Sequence, residues 1–338
     1  MTKRAIVREY LTKKTMTALK EGKTAKKTLA KKIFEENPGG WDNEELVRTE
    51  IRKQTGASGG SIKVRPEHEF VSNPKLGVKQ FKLPKSQAKL PKNFIFPDGL
   101  DLTLVISDIH IPYHDNDSLT AVVEFGKNIE VDSVFINGDL FDFYQGSDFD
   151  KDPRNFSIDK ELRLGYEFIM WLRQEFPGIP IFFKLGNHEL RFERLLQRKV
   201  PQLVGIEELE LSRLLELRNF GVEVIAQDRL TKYGKLNIVH GHEFKYGVYS
   251  PVSAAKGIYN KAHASTLVGH WHHTSEHGAS NLNGEAIGTW STGCLCSLRP
   301  EYSPFAFTHW NHGFAILTKE PSGKFHVDNR RIRKGVVL

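Results

Sequence analysis

Apolar, β-rich runs in the C-terminal two-thirds of this chain end repeatedly in carboxylate, carboxamide and imidazole side chains. The run at 102–106 leads into Asp108-Ile109-His110, and the run at 133–137 into Gly138-Asp139-Leu140-Phe141-Asp142. Ile181-Phe182-Phe183 precedes Gly186-Asn187-His188-Glu189, and Leu267-Val268 precedes Gly269-His270-Trp271-His272. A fifth cluster is Val239-His240-Gly241-His242-Glu243. Strand ends meet along one edge of a sheet, so groups distant in sequence can converge there. Asp, His and Asn together suit divalent ions of borderline hardness, such as manganese, iron, zinc or nickel. Glycines beside Asp139, Asn187 and His270 allow close backbone approach.

The surrounding pattern predicts the layers. Helical periodicity covers 118–128 and 158–176, alternating with strands at 102–106, 133–137 and 179–185. Further strands are expected at 222–226, 235–239, 265–268, 286–290, 313–318 and 324–328. Strand–helix alternation followed by closely spaced strands predicts an α/β domain of two mixed β-sheets, sandwiched and flanked by helices.

The first third has a different texture. Residues 1–98 hold 22 Lys and Arg against 11 Asp and Glu, whereas the remaining 240 hold 26 against 30, so the net charge of +7 lies wholly in the first third. Apolar positions predict helices over 5–20, after Thr24 and after Asn43, the last ending before Gly56, with Thr24 and Asn43 as caps. Three short basic helices with tight turns resemble a helix-turn-helix unit, though any small bundle gives this pattern. The expected organisation is a basic helical domain at 1–56, a Pro-, Gly- and Lys-containing linker at 57–98, and a catalytic domain at 99–338. Such a charge excess is either a solvated surface or one that seeks phosphate, as nucleic-acid partners do.

No apolar run is long enough for a membrane span. The basic start lacks an apolar segment behind it, unlike a secretory signal. Cys294 and Cys296, the two cysteines, are too few for a disulfide framework and read as buried thiols, which fits a cytoplasmic setting.

The ordered set of five motifs resembles the calcineurin-like metallophosphoesterase family over about residues 101–318. That resemblance implies two divalent ions, with manganese the first expectation. Asp108, His110 and His272 would hold one ion, Asn187, His240 and His270 the other, and Asp139 would bridge them. A water shared between the ions would attack phosphorus. His188 would protonate the leaving oxygen, and Asp142 would accept a hydrogen bond from His188 and orient it. Arg191 would touch a phosphate oxygen or brace its loop, with a surface salt bridge as the plain alternative. One departure stands out. Protein phosphatases of this superfamily carry arginine immediately after the second aspartate of motif two, and here that residue is Phe143.

The expected activity is therefore hydrolysis of phosphate esters, foremost as a phosphodiesterase or nuclease acting on nucleic acid held by residues 1–98. The alternatives are a phosphomonoesterase, a cyclic-nucleotide phosphodiesterase, or a non-catalytic nucleic-acid-binding protein. His114, His242, His273, His277, His309 and His312 read as solvated or cleft-lining groups.

Overall fold

A computed structural model describes residues 2–55, 83–147, 157–245, 253–299, 305 and 307–338. The chain divides into two compact units, 1–88 and 89–338. Most of the expected linker, 57–82, lies outside the described residues.

Among its described residues the first unit holds four helices: α1 (Lys3–Tyr10), α2 (Lys13–Lys20), α3 (Lys26–Glu36) and α4 (Glu44–Thr55). The single helical pattern expected over 5–20 is two helices. Thr12 interrupts it by capping α2, where its hydroxyl accepts from Thr15 N at 3.4 Å. Thr24 is not a cap. Ala25 occupies that position in α3 without a side-chain bond. Asn43 does cap α4, its Oδ1 accepting from Leu46 N at 3.0 Å. Val7, Leu29, Ile33, Trp41, Val47 and Ile51 form the core of the unit. Lys13, Lys14, Lys20, Lys27, Lys31 and Lys32 remain exposed around it.

The second unit begins with β1 (Phe94–Ile95), followed by β2 (Leu102–Ile106), α5 (Asn116–Asn128), β3 (Ser133–Asn137), α6 (Ile158–Glu175), β4 (Ile181–Lys184), α7 (Glu189–Lys199) and α8 (Leu211–Leu214). Then come β5 (Val222–Ile225), β6 (Thr231–Tyr233), β7 (Leu236–Ile238), α9 (Ala254–Ala262), β8 (Thr266–Val268), β9 (Ser275–Ser280) and β10 (Ala286–Ser291). Strands β11 (His312–Lys319), β12 (Phe325–Arg333) and β13 (Val336–Val337) complete it. One sheet runs β13-β12-β11-β2-β3-β4-β5 and the other β1-β6-β7-β8-β10-β9. Both are mixed. β2, β3, β4 and β5 are mutually parallel, while β11 joins β2 antiparallel.

Alternation along each strand sorts side chains between two cores. Leu104, Ile106, Val134, Ile136, Ile181 and Phe183 face the helices. Val105, Phe135 and Phe182 face the second sheet, meeting Phe96, Tyr233, Leu236 and Leu267. Burial on both faces is why these strands read as continuous apolar runs.

The linker expectation needs correction at its end. Phe94 pairs with Thr231 in a parallel ladder, and Phe94 and Phe96 are buried between the sheets. Two alternating aromatics between Pro91 and Pro97 make too short a pattern to read as a strand. β6 and β9 were also not expected. β6 has three residues, and β9 is an edge strand whose exposure alternates without a buried position.

Gly165 of α6 sits against Phe141, whose ring carbons would stand 2.2 Å from an added Cβ. Gly165→Ala gains about 1 kcal/mol of helix propensity, but overpacking outweighs it. A net loss of about 1–3 kcal/mol is expected, read as a lower urea midpoint at constant m.

Candidate active site

The five motifs converge at the strand ends. Motifs one to three come from one sheet, at β2, β3 and β4, and motifs four and five follow β7 and β8 of the other. Asp108, His110, Asp139, His240 and His272 are all buried. Oxygen and nitrogen atoms of Asp108, His110 and Asp139 lie within 4.8 Å of one another, as do those of Asp139, His240 and His270, so Asp139 belongs to both triads. His272 joins the first group, its Nε2 standing 3.2 Å from Asp108 Oδ1 and 3.1 Å from His110 Nε2. In the second, His240 Nε2 is 3.1 Å from Asp139 Oδ2, and the His240 and His270 rings are 5.2 Å apart.

The backbone is bent to present these groups. Asp108, His110, Asp139, His270 and His272 all have φ between 50° and 67°. Left-handed conformations are costly for such residues and cluster at functional sites. The glycines serve close approach, though to neighbouring side chains. A Cβ on Gly186 would stand 2.3 Å from Asp139 Oδ1, and one on Gly269 2.6 Å from Asp108 Oδ2.

Hydrogen bonds aim the side chains. Asp108 accepts from Ser107 Oγ at 2.6 Å and from His270 N at 2.9 Å. His240 Nδ1 donates to Asn137 O at 2.6 Å, which leaves Nε2 as the end facing Asp139. Glu189, quoted in its motif but given no role from sequence, is the brace. It accepts from Asp139 N (3.1 Å), Phe141 N (3.2 Å) and Gly186 N (2.7 Å). Sequence reasoning also missed Lys184. This fully buried lysine ends β4 and bonds Gln227 O, Arg229 O and Glu243, the last at 3.3 Å. Glu243 in turn accepts from His240 N at 3.2 Å and Gly241 N at 2.6 Å. A lysine in an otherwise apolar run was the available signal.

Asp142 sits differently from expectation. Its carboxylate lies 3.1 Å from His110 Nδ1, while His188 Nδ1 meets the Asp142 main-chain oxygen at 2.8 Å and the carboxylate at 3.4 Å. Arg191 Nη1 donates to that same carbonyl at 2.8 Å, so it braces the loop. Phe143 is buried, stacked between Phe141 and Phe192.

Of the other histidines, His312 bonds Ser118 Oγ and Cys296 O, and His277 packs on Tyr259. His242 is half-buried beside Glu243, and His114 Nδ1 is buried without a partner. Both cysteines are free and buried, as expected, and Cys296 Sγ lies 4.0 Å from His272 Nδ1.

The electrostatics are those of a cation site. Asp108 is held well below the usual carboxylate range despite burial, because His272 and His240 face it. Asp139 is likewise lowered by His188 and His240. Burial lowers His110 to about 4 and His270 to about 3. Against the same burial, Asp139 raises His240 to about 10, and Asp108 raises His272 to about 9. The residues fit divalent ions on a second ground. Asn187 Oδ1 is buried without a hydrogen bond, and such an atom needs a partner.

Two carboxylate–imidazole clusters sharing one aspartate suit a dinuclear divalent-metal centre. The chain belongs to the calcineurin-like phosphoesterase family, whose pattern matches residues 102–313. The family carries a dinuclear divalent-metal centre, and the chain is a metal-dependent phosphoric ester hydrolase. It is 28% identical over 254 residues to the Gene 54 protein of Mycobacterium phage L5, covering 67% of this chain and 96% of that protein. A UDP-2,3-diacylglucosamine hydrolase of Vibrio cholerae serotype O1 is 28% identical over 130 residues, covering 38% and 48% of the two chains. A dimetal phosphatase from Danio rerio aligns over 70-odd per cent of this chain (71%) and 98% of its own, at 12% identity and TM-score 0.36.

Three outcomes follow. In protein stripped of divalent ions, His240 and His272 are charged at pH 7. Titration calorimetry with manganese in buffers of differing ionisation enthalpy is expected to show about two protons released on binding. Their raised pKa also stabilises the ion-free fold fully below pH about 6.5, and that contribution is lost as pH rises through about 9 to 10. Lys184→Met leaves Glu243 without its cation. It is expected to lower stability by about 3 kcal/mol in urea unfolding and to weaken manganese binding about ten-fold by calorimetry.

Proposed function

We propose that this chain hydrolyses phosphodiesters, with nucleic acid as substrate and manganese as the preferred metal. The observation that carries the substrate class is the charge distribution. Residues 1–98 hold the whole basic excess, and lysines line the outside of α2 and α3. Such a surface gathers phosphate backbones by releasing counterions. Phe143 supports the reading from the other side. It fills with a buried ring the place where protein phosphatases carry arginine.

The proposed ligand sets are Asp108, His110 and His272 for one ion, and Asn187, His240 and His270 for the other, with Asp139 shared. Asp139's membership of both triads supports this division. A bound ion pair supplies activated water at neutral pH and neutralises charge building on the phosphate oxygens. His188 acts as proton donor to the leaving oxygen. Its Nδ1 is anchored on Asp142 O, which leaves Nε2 facing the site, 3.7 Å from Asp139 Oδ2. The Asp142 carboxylate orients His110, and its main-chain oxygen orients His188. Arg191 positions that loop. The free, buried thiols support a reducing, cytoplasmic setting.

Turnover of bis-nitrophenyl phosphate well above nitrophenyl phosphate is the expected result with manganese, and activity on the monoester alone sinks the diesterase reading. Deleting residues 1–88, which spares Phe94 and Phe96, is expected to abolish salt-sensitive binding in gel shifts while leaving small-diester hydrolysis. His188→Asn is expected to cut kcat by about 10²–10⁴ for oligonucleotides. For nitrophenyl esters, whose leaving group needs no proton, the loss should be much smaller.

A further inference from the structure

Trp310 lies against the metal-ligand cluster, and the hydrolytic roles leave it unexplained. Its ring stands 4.2 Å from the His272 imidazole at 65°, and it is only partly buried. Hydrogen bonds hold the segment in place on both sides. Asn311 N donates to His272 O at 3.0 Å, and Asn311 Oδ1 accepts from Thr274 N at 2.9 Å. Upstream, Thr308 Oγ1 donates to Leu298 O at 2.9 Å. Next along the chain, Phe307 and Phe305 are almost wholly in water, at 101% and 93% exposure. They are the only exposed phenylalanines among the described residues. Phe307 stands three residues before Trp310 in the chain, and an apolar ring left in solvent next to a segment that touches the site calls for a partner with a flat apolar face.

We propose that Trp310 and Phe307 form a stacking platform for an unpaired nucleobase of the substrate. This rests on the phosphodiesterase reading above. A base is joined to its phosphate through one sugar, so a phosphoester at the metal ligands brings its base to the rim of the site. Trp310 occupies that rim. Every base has a π-face, so the platform tolerates sequence and selects instead for bases free of a neighbour. In duplex DNA those faces are taken by adjacent bases, so single strands and frayed ends are the preferred substrates. Arg331, exposed and bonded to Thr274 O at 3.4 Å, adds a cation near the same rim for a neighbouring phosphate.

The test uses the full chain with manganese and three oligonucleotides: a single strand, its duplex, and a single strand with abasic residues flanking the scissile phosphate. Wild-type protein is expected to show a KM about ten-fold lower for the ordinary single strand than for the abasic one. Trp310→Leu and Phe307→Ala are expected to bring that ratio toward one, and Trp310→Phe to retain most of it. Phe307 is fully exposed, so its variant stays informative even if Trp310→Leu fails to fold. Equal KM for ordinary and abasic strands in wild type overturns the platform while leaving the phosphodiesterase reading intact. Failure to cut any oligonucleotide, with bis-nitrophenyl phosphate still hydrolysed, overturns the platform together with the nucleic-acid reading. Failure on every diester overturns the phosphodiesterase reading itself.

Discussion

The arrangement turns on the Asp139 carboxylate. It is buried, its residue has φ 51°, and it stands 3.1 Å from His240, 3.7 Å from His188 and 3.9 Å from His110. With Asp108 it puts two carboxylates into one buried cleft, which is costly unless cations accompany them. In the ion-free protein, protonated His240 and His272 take that part. On the proposed ligand assignment, divalent ions would displace those protons and satisfy the same charge. The electrostatic demand for cations in this cleft is thus the demand a bound metal would meet.

Holding that carboxylate in place engages both sheets. Glu189 ties Asp139 N, Phe141 N and Gly186 N together, joining motifs two and three through the main chain. Lys184 and Glu243 join β4 to the loop carrying His240. The two halves of the site therefore stay in register only while the inter-sheet core of Phe96, Phe135, Phe182 and Tyr233 is packed. Phe96, just after β1, lies before the span of the family pattern, so the ligand cluster depends on a segment that pattern does not cover.

The proposed substrate choice rests on groups away from the proposed ligands. Phe143 replaces a phosphate-gripping charge with a ring stacked on Phe141 and Phe192. The lysine-rich first unit supplies charge of the kind phosphate backbones bind. Trp310 adds a flat surface at the rim.

The sequence by itself determined the strands that end in ligands, the two mixed sheets and the family, because each depends on local signals. Continuous apolar runs, glycines beside the motifs and the short motifs themselves are visible residue by residue. Tertiary structure alone decided three matters. It made Phe94 and Phe96 part of a sheet, because the pairing partner at Thr231 is over 130 residues away (β1 with β6). It turned the Asp142 carboxylate to His110 and its carbonyl to His188, since spacing cannot tell side chain from main chain. And it put Trp310 on His272, a contact held by Asn311 N donating to His272 O across nearly forty residues of chain. Local chemistry writes which groups can act. Which atoms meet is set by long-range packing, and that information is not contained in any one segment.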